Sequence, residues 1–336
     1  MKPKLLVIEL WGVGDLAIAS PFLQQACEQF DVTVLAKPFA IDLQTRFWPA
    51  IKVVPFNAPW TAFRFNQKYR VYAWPWRGMV GLWQQLRRSR FDVAVSGRWD
   101  PRDHFLMNMT GAKRRLGFPR IGSRAFLTDP LELPDPGVHR YEYWRTIGRG
   151  LGLELPPQDK VQLSPNQGGQ LVLVHTGAGQ PVRVWPLERY QRLVGHLRAQ
   201  NYNVRVLCNP EQFEWWLRAG ETAVAKPTTI TELLTFMNGA GAFIGNDSGP
   251  GHLAAFLGIP TFTLFGPQVP AWFVPLHPAA VYIEGKPCPY KPCSDSCRFP
   301  IPQCLWNVGE IEVREKVDAF LRRQIQTLVR VAAVSS

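Results

Sequence analysis

The sequence predicts an α/β protein made of two doubly wound domains. Leu5–Ile8 is a short apolar run with no alternation, as expected of a strand covered on both faces. Segments of helical period separate it and its successors, and the alternation recurs in both halves of the chain. The chain has 336 residues, 46% of them hydrophobic, which is enough for two proper cores.

The elements follow in order. After the first strand, Gly12-Val13-Gly14-Asp15 turns the chain into an apolar helix from Leu16 to Gln29, and Val32–Leu35 is a second strand. Strands are expected at Ile51–Val54 and Phe91–Val95, with helices at Met79–Arg88 and Tyr141–Gly150. Leu155 to Gly169 is rich in Pro, Gly, Gln and Asn and reads as a linker, dividing the chain into domains 1–160 and 161–336. Strands are next expected at Leu171–Val174, Val204–Cys208, Ala242–Gly245 and Thr261–Phe265. Helices are expected at Leu187–Gln200, Ile230–Asn238 and Gly251–Leu257. Glu310–Val334 closes the chain as an amphipathic helix, with Val313, Val317, Phe320, Leu321 and Leu328 on one face. That face is expected to pack back toward the first domain. No repeat is visible between the halves.

The charge is uneven. Residues 1–150 hold 22 Lys and Arg against 12 Asp and Glu, a net of +10, whereas residues 151–336 hold 16 against 14. An anionic partner of the first half follows: nucleic acid, anionic lipid, or an acidic or phosphorylated sugar. Glu9 and Asp15 interrupt the N-terminal apolar run, which therefore reads as a buried strand rather than a signal peptide. No stretch approaches the ~20 apolar residues of a membrane span. A cytoplasmic protein, peripheral on the inner face of the membrane, is the expectation.

The stretch GNDSGPGHLAAFLGIP begins at Gly245 and places Asp, Ser and His within six residues at a strand-to-helix turn. Ser248 suits the N-cap and Pro250 the first turn, while Gly258 and Pro260 stop the helix. Gly249 and Gly251 let the backbone approach a phosphate at the helix N-terminus, and His252 can donate to it. An ordinary capped helix with a buried histidine would read the same way.

The run GNDSGPGHLAAFLGIPTFTLFGP closely resembles the signature of glycosyltransferase family nine, the bacterial ADP-heptose:lipopolysaccharide heptosyltransferases. LLVIELWGVGDLAIASPFL, GAKRRLGFP and VLVHTGAGQPVRVWPLERYQRLV resemble further segments of that family, in order. The resemblance implies two Rossmann-like domains facing a cleft, the B-type glycosyltransferase fold. It places the acceptor in the first domain and the nucleotide sugar in the second. Thr176, Gly177, Asp247, Ser248, Gly249 and His252 would then line the donor site. Arg183, where the family usually has Lys, would neutralise the leaving diphosphate, and Glu211 would reach the nucleotide. Asp15 matches the position of the family's base, and an N-cap role can coexist with that one. Two departures lie near Asp15: Glu9 where the family often has Lys, and Ile18 where it often has His.

The implied activity is inverting, metal-independent transfer of a heptose-like sugar from a nucleotide diphosphate to a lipid-linked glycan. A nucleotide-sugar epimerase or a non-catalytic nucleotide-sugar or glycan binder shares the architecture. From Trp60 to Arg90 the chain carries seven cations and no acid, interleaved with aromatic residues. Arg64, Arg70, Trp74, Trp76 and Arg77 are the candidates there for acceptor or membrane contact. Single-stranded nucleic acid would use the same side chains, but no recognised module accompanies them. Cys27 and Cys208 read as core residues. Cys288, Cys293, Cys297 and Cys304 fall within 17 residues, the count a structural zinc needs, though without two-residue knuckle spacing. Disulfides and unligated thiols are the alternatives. No catalytic cofactor is called for.

Overall fold

The computed structural model describes residues 1–61, 74–161, 169–293 and 297–334, the side chains of 325–334 excepted. Arg64 and Arg70 lie outside the described residues, as does the side chain of Leu328. The chain divides into two compact units, Met1–Pro157 and Gln158–Ser336.

The first unit runs β1 (Lys4–Glu9), α1 (Val13–Gln29), β2 (Asp31–Ala36), α2 (Ala40–Phe47), β3 (Lys52–Pro55), α3 (Trp76–Ser89), β4 (Val93–Ser96), α4 (Pro101–Thr110), β5 (Arg114–Gly117), β6 (Asp129–Pro130) and α5 (Tyr141–Gly150). Its sheet is ordered β3-β2-β1-β4-β5-β6, with parallel pairing throughout. Every residue of β1 except Lys4 is buried, which accounts for its unalternating apolar run. Leu6, Ile8, Leu35, Ala94 and Met107 belong to one core cluster. On α1, Phe22 meets Trp144 of α5 with ring centroids 5.1 Å apart.

The second unit runs β7 (Leu171–His175), α6 (Leu187–Ala199), β8 (Asn203–Leu207), α7 (Phe213–Arg218), β9 (Val224–Ala225), α8 (Ile230–Met237), β10 (Ala240–Asn246), α9 (Gly249–Phe256), β11 (Thr261–Phe265), α10 (Pro270–Phe273), β12 (Val281–Glu284), α11 (Gln303–Trp306) and α12 (Glu310–Val334). Its sheet is ordered β12-β11-β10-β7-β8-β9, again parallel. Counted from its own first strand, this is the order of the first sheet. Two sequences without a visible repeat thus arrive at one topology.

The sequence leads one to expect the apolar face of the terminal helix on the first unit. Instead Val313, Val317, Phe320 and Leu321 of α12 are buried in the second unit's own core, among Val172, Ile244 and Phe262. The reason is that this sheet needs cover: β10 is buried along its whole length. Among the described residues no helix is long and apolar enough to cross a membrane.

In each sheet the strand order reverses beside the first strand, between β1 and β4 and between β7 and β10. Open parallel sheets hold their ligands outside the carboxyl ends of the strands at such switch points. Both motifs singled out above leave those strands: Gly12–Asp15 follows β1, and Asp247–His252 follows β10.

Candidate functional site

At the first switch point, Asp15 sits at the third position of α1, where its Oδ2 accepts the Gly12 amide at 3.0 Å. Its Oδ1 accepts a hydrogen bond from Arg98 Nη2, an ion pair that spans two strands. Asp15 therefore caps its helix and also presents a charge, with its side chain 22% exposed. Arg98 comes from the loop after β4 and lies 5.0 Å over the Trp11 ring. Ser96 Oγ fixes that loop, accepting the Arg98 amide at 3.2 Å and donating to Asp103 Oδ2 at 3.1 Å. A Cβ on Gly97 would stand 2.6 Å from the Trp144 ring, so the loop passes where only glycine fits.

Two more carboxyls lie behind this pair. Glu9 ends β1, is buried, and accepts the Trp11 amide at 3.3 Å. Burial pushes its pKa up to about 8 against the pull of Arg98, with Asp15 and Asp103 adding to the rise. Asp103, fully buried on α4, is raised to about 7 by burial and by Asp100, and among the described residues its Oδ1 has no hydrogen-bond partner. Arg140 lies 4.4 Å over Trp99 and 5.0 Å over Tyr143, near enough to feel both Arg98 and Asp15. Ile18 is packed in the core.

At the second switch point the hub is Asn246, which is fully buried. Its Oδ1 accepts the Trp185 amide at 3.1 Å and the Tyr190 hydroxyl at 2.9 Å, and its Nδ2 donates to the carbonyls of Thr176 and Gly177 at 2.9 and 3.4 Å. One side chain thus ties β7, β10 and the start of α6 together. Asp247 follows, with its carboxylate 3.1 Å from Arg183 Nη1. Arg183 is 23% exposed and Asp247 4%, so the acid is interior and the guanidinium faces outward.

Ser248 occupies the N-cap position of α9, but its side chain makes no cap bond; its Oγ donates to the Asn246 carbonyl at 3.1 Å. The capping expected of it is therefore not made, because its hydroxyl is drawn back along the strand. Gly249, Pro250 and Gly251 open the helix, and His252 is 7% exposed in its first turn.

Thr176 is fully buried and faces inward: its hydroxyl donates to Gln212 Oε1 at 3.0 Å and accepts Trp216 Nε1 at 3.2 Å. A Cβ on Gly177 would be 2.0 Å from Asn209 Oδ1, so this glycine admits the neighbouring loop. Glu211 is exposed and accepts Asn209 Nδ2 at 2.9 Å. His175 stacks on Phe243, and burial lowers its pKa to about 4, so the ring is neutral.

The remaining candidates stand apart. Trp74 is packed against Trp60, centroids 5.7 Å apart, while Trp76 and Arg77 at the start of α3 are exposed. Cys288, Cys293, Cys297 and Cys304 line one cavity with Tyr290, Lys291 and Phe299. Among the described residues, however, no three His, Cys, Asp or Glu side chains are placed to hold a metal ion. The four-thiol zinc set expected there is therefore not shown, although burial raises the Cys304 thiol and Cys293, Cys288 and Cys297 lie near enough to add to that rise.

A family model for glycosyltransferase family 9 (heptosyltransferase) matches residues 79–300, well over half of the chain. The chain belongs to glycosyltransferase family 9. It is therefore a glycosyltransferase by membership. It is 25% identical to lipopolysaccharide heptosyltransferase 1 of Pseudomonas aeruginosa, over 95% of this chain and 98% of that one. It is 21% identical to the lipopolysaccharide core heptosyltransferase OpsX of Haemophilus influenzae, over 81% and 82%. Among solved structures, E. coli heptosyltransferase WaaC with ADP superposes with a TM-score of 0.73 at 15% identity, covering 94% of this chain and 99% of that one. A family 9 glycosyltransferase from Veillonella parvula gives 0.75 at 18% identity, over 96% and 98%. These superpositions give the B-type glycosyltransferase architecture of family 9 to the two sheets described above.

Proposed function

We propose that this protein transfers a heptose from ADP-heptose to a lipid-linked lipopolysaccharide core acceptor, with inversion and without a catalytic metal. The observation that carries the reading is the uncapped start of α9 beside Arg183. Helix N–H groups and a guanidinium at one switch point suit a diphosphate. The names of the relatives support the sugar and the acceptor. The neighbours solved with ADP and with ADP-2-deoxy-2-fluoro heptose support the nucleotide.

In this reading Arg183, Gly249 and His252 hold the diphosphate, and the charge that builds on it as the glycosidic bond breaks meets a fixed cation, so no metal is needed there. Asp247 holds Arg183 in place rather than touching the sugar. Thr176 acts indirectly, through the β7 end that it anchors, and Glu211 reaches the nucleoside. Asp15 takes the acceptor hydroxyl proton as that oxygen attacks the face opposite the departing nucleotide, which inverts the anomeric centre. The first unit carries the acceptor, and exposed Trp76 and Arg77 on a helix without acids suit the anionic membrane surface where that acceptor resides.

The test is incubation with ADP-heptose, with and without a lipid A–Kdo acceptor, in the presence of EDTA. ADP release that requires acceptor, a heptose mass added to it, and an anomeric configuration opposite to the donor's are expected. An isomerised nucleotide sugar formed without acceptor, or activity abolished by EDTA, would overturn the reading.

A further inference from the structure

Arg98 is tied down at both ends. At its head the guanidinium meets Asp15 Oδ1 and lies 5.0 Å over the Trp11 ring. At its root Ser96 Oγ accepts the Arg98 amide at 3.2 Å and donates to Asp103 Oδ2 at 3.1 Å. Between the two, Gly97 passes Trp144 where a Cβ would stand 2.6 Å from the ring. Burial lowers the pKa of His104, whose ring sits 2.8 Å from Ser123 Oγ, and the Arg98 backbone is near enough to offset part of that. Asp103 and Ser96 are wholly buried, and neither reaches a substrate in the function proposed above. A carboxyl enclosed on α4 is costly, the more so with Oδ1 unpartnered among the described residues. An aliphatic side chain would fill the same interior at lower cost. What the carboxyl does there is accept the Ser96 hydroxyl. A carboxyl oxygen can do so whether the group is ionised or neutral, so the contact does not depend on charge.

We propose that Ser96 and Asp103 are positioning residues: through the Arg98 backbone they set that side chain on Asp15 Oδ1, and so hold the carboxylate in the orientation that takes the acceptor proton. The inference rests on the reading of Asp15 as base. The Gly12 amide alone fixes Oδ2 and leaves the carboxylate free to turn about that bond. The second bond, from Arg98, fixes its plane. An arginine side chain has many rotamers, and it serves as a fixed point only where root and head are both held. Ser96 and Asp103 hold the root, and Trp11 with Asp15 the head. No proton passes along this chain of contacts, and Arg98 stays charged throughout. The effect is geometric, and a displacement of about 1 Å in a reacting group costs on the order of 100-fold in rate. Loss of the buried pair is therefore read in kcat, with substrate binding left as it was.

The experiment is a double-mutant cycle on transfer from ADP-heptose to the lipid A–Kdo acceptor, with kcat and KM measured separately. Ser96→Ala and Asp103→Leu are expected to lower kcat about tenfold to 100-fold, with KM for both substrates held. Asp103→Asn keeps a carbonyl oxygen for the Ser96 hydroxyl and retains most of kcat. Arg98→Met loses at least as much as Ser96→Ala. In the Arg98→Met background Ser96→Ala costs nothing further, because the serine acts only through that side chain. A merely structural serine would instead subtract the same factor in both backgrounds. If Asp103→Leu does not fold, Ser96→Ala, which removes a single hydroxyl, decides on the same cycle. Additive losses, a loss that appears in KM alone, or full kcat in Ser96→Ala overturns the inference. Asp15→Asn separates the two levels. Transfer absent from wild type, or surviving Asp15→Asn, defeats the reading of the base and the positioning role with it. Transfer lost in Asp15→Asn but intact in Arg98→Met and Ser96→Ala keeps the base and defeats the positioning role.

Discussion

Arg183 and Asp247 are 64 residues apart in sequence and joined by a 3.1 Å ion pair at the switch point of the second sheet. The pairing turns a flexible cation into a fixed one, because Asp247 is interior and immediately follows β10. Arg183→Met is expected to lower donor turnover about 100-fold, the scale of removing one donor to a developing oxyanion. Stability should fall by only about 1–2 kcal/mol, since the guanidinium is partly solvated. Steady-state kinetics with ADP-heptose and a thermal melt check the two parts; equal kcat in the variant would remove Arg183 from the site.

Asn246 is the residue whose loss should hurt the fold most. Its four side-chain hydrogen bonds join three segments of the second unit in a site without solvent. Asn246→Ala leaves the Tyr190 hydroxyl and the Trp185 amide without their acceptor, and should cost about 3 kcal/mol. For a unit of this size that is a drop in Tm of roughly 6–12 °C, readable by calorimetry.

β1 to β4, β7, β8, β10 and β11 and most of the long helices were legible in the sequence because parallel strands buried on both faces read as apolar runs; β5, which opens on two arginines, β12 and the two-residue β6 and β9 were not. α4 was not. It carries polar Arg102, Asp103, His104 and Asn108, and two of these, Asp103 and His104, are buried, so its inner face is masked in any hydrophobic pattern. Its start was nonetheless signalled by Asp100-Pro101, and Asp100 does accept the Arg102 amide at 2.9 Å. The Asp247–His252 turn was readable as a strand end and helix start, yet not the direction of the Ser248 hydroxyl, which the Asn246 carbonyl sets. Arg98 escaped because nothing local marks it. Only the sheet order, with β4 beside β1, brings it to Asp15. That order also explains position 9: a cation reaches Asp15 from β4, and Glu9 stays buried.

Glu9 and Asp103 predict how stability depends on pH. Both acids are raised in the folded protein, Glu9 to about 8 and Asp103 to about 7, so the native state holds their protons more tightly than the unfolded chain does. Stability from these groups is complete below their unfolded pKa values and is lost as pH rises through the folded ones. Tm should therefore decline between about pH 6 and pH 8.5, and Glu9→Gln should flatten that decline. A Tm that rises over the same interval in wild type would contradict the buried, neutral state of both carboxyls.

Asp15→Asn separates the two roles of this side chain. The amide can still accept the Gly12 N–H through its oxygen, so the cap on α1 persists, whereas it can take no proton. Loss of the ion pair with Arg98 should cost about 1 kcal/mol or less, given the exposure of both groups. Asp15→Ala removes the cap as well, for about a further 1 kcal/mol. Both variants should therefore fold, and both should lose roughly 100- to 10,000-fold in transfer. Donor binding, measured by thermal shift with ADP, should be unchanged in each, since the residues proposed to hold the diphosphate belong to the other sheet. Near-wild-type turnover in Asp15→Asn would assign the proton to a different group, and a loss confined to Asp15→Ala would make the cap, not the base, the function of this carboxylate.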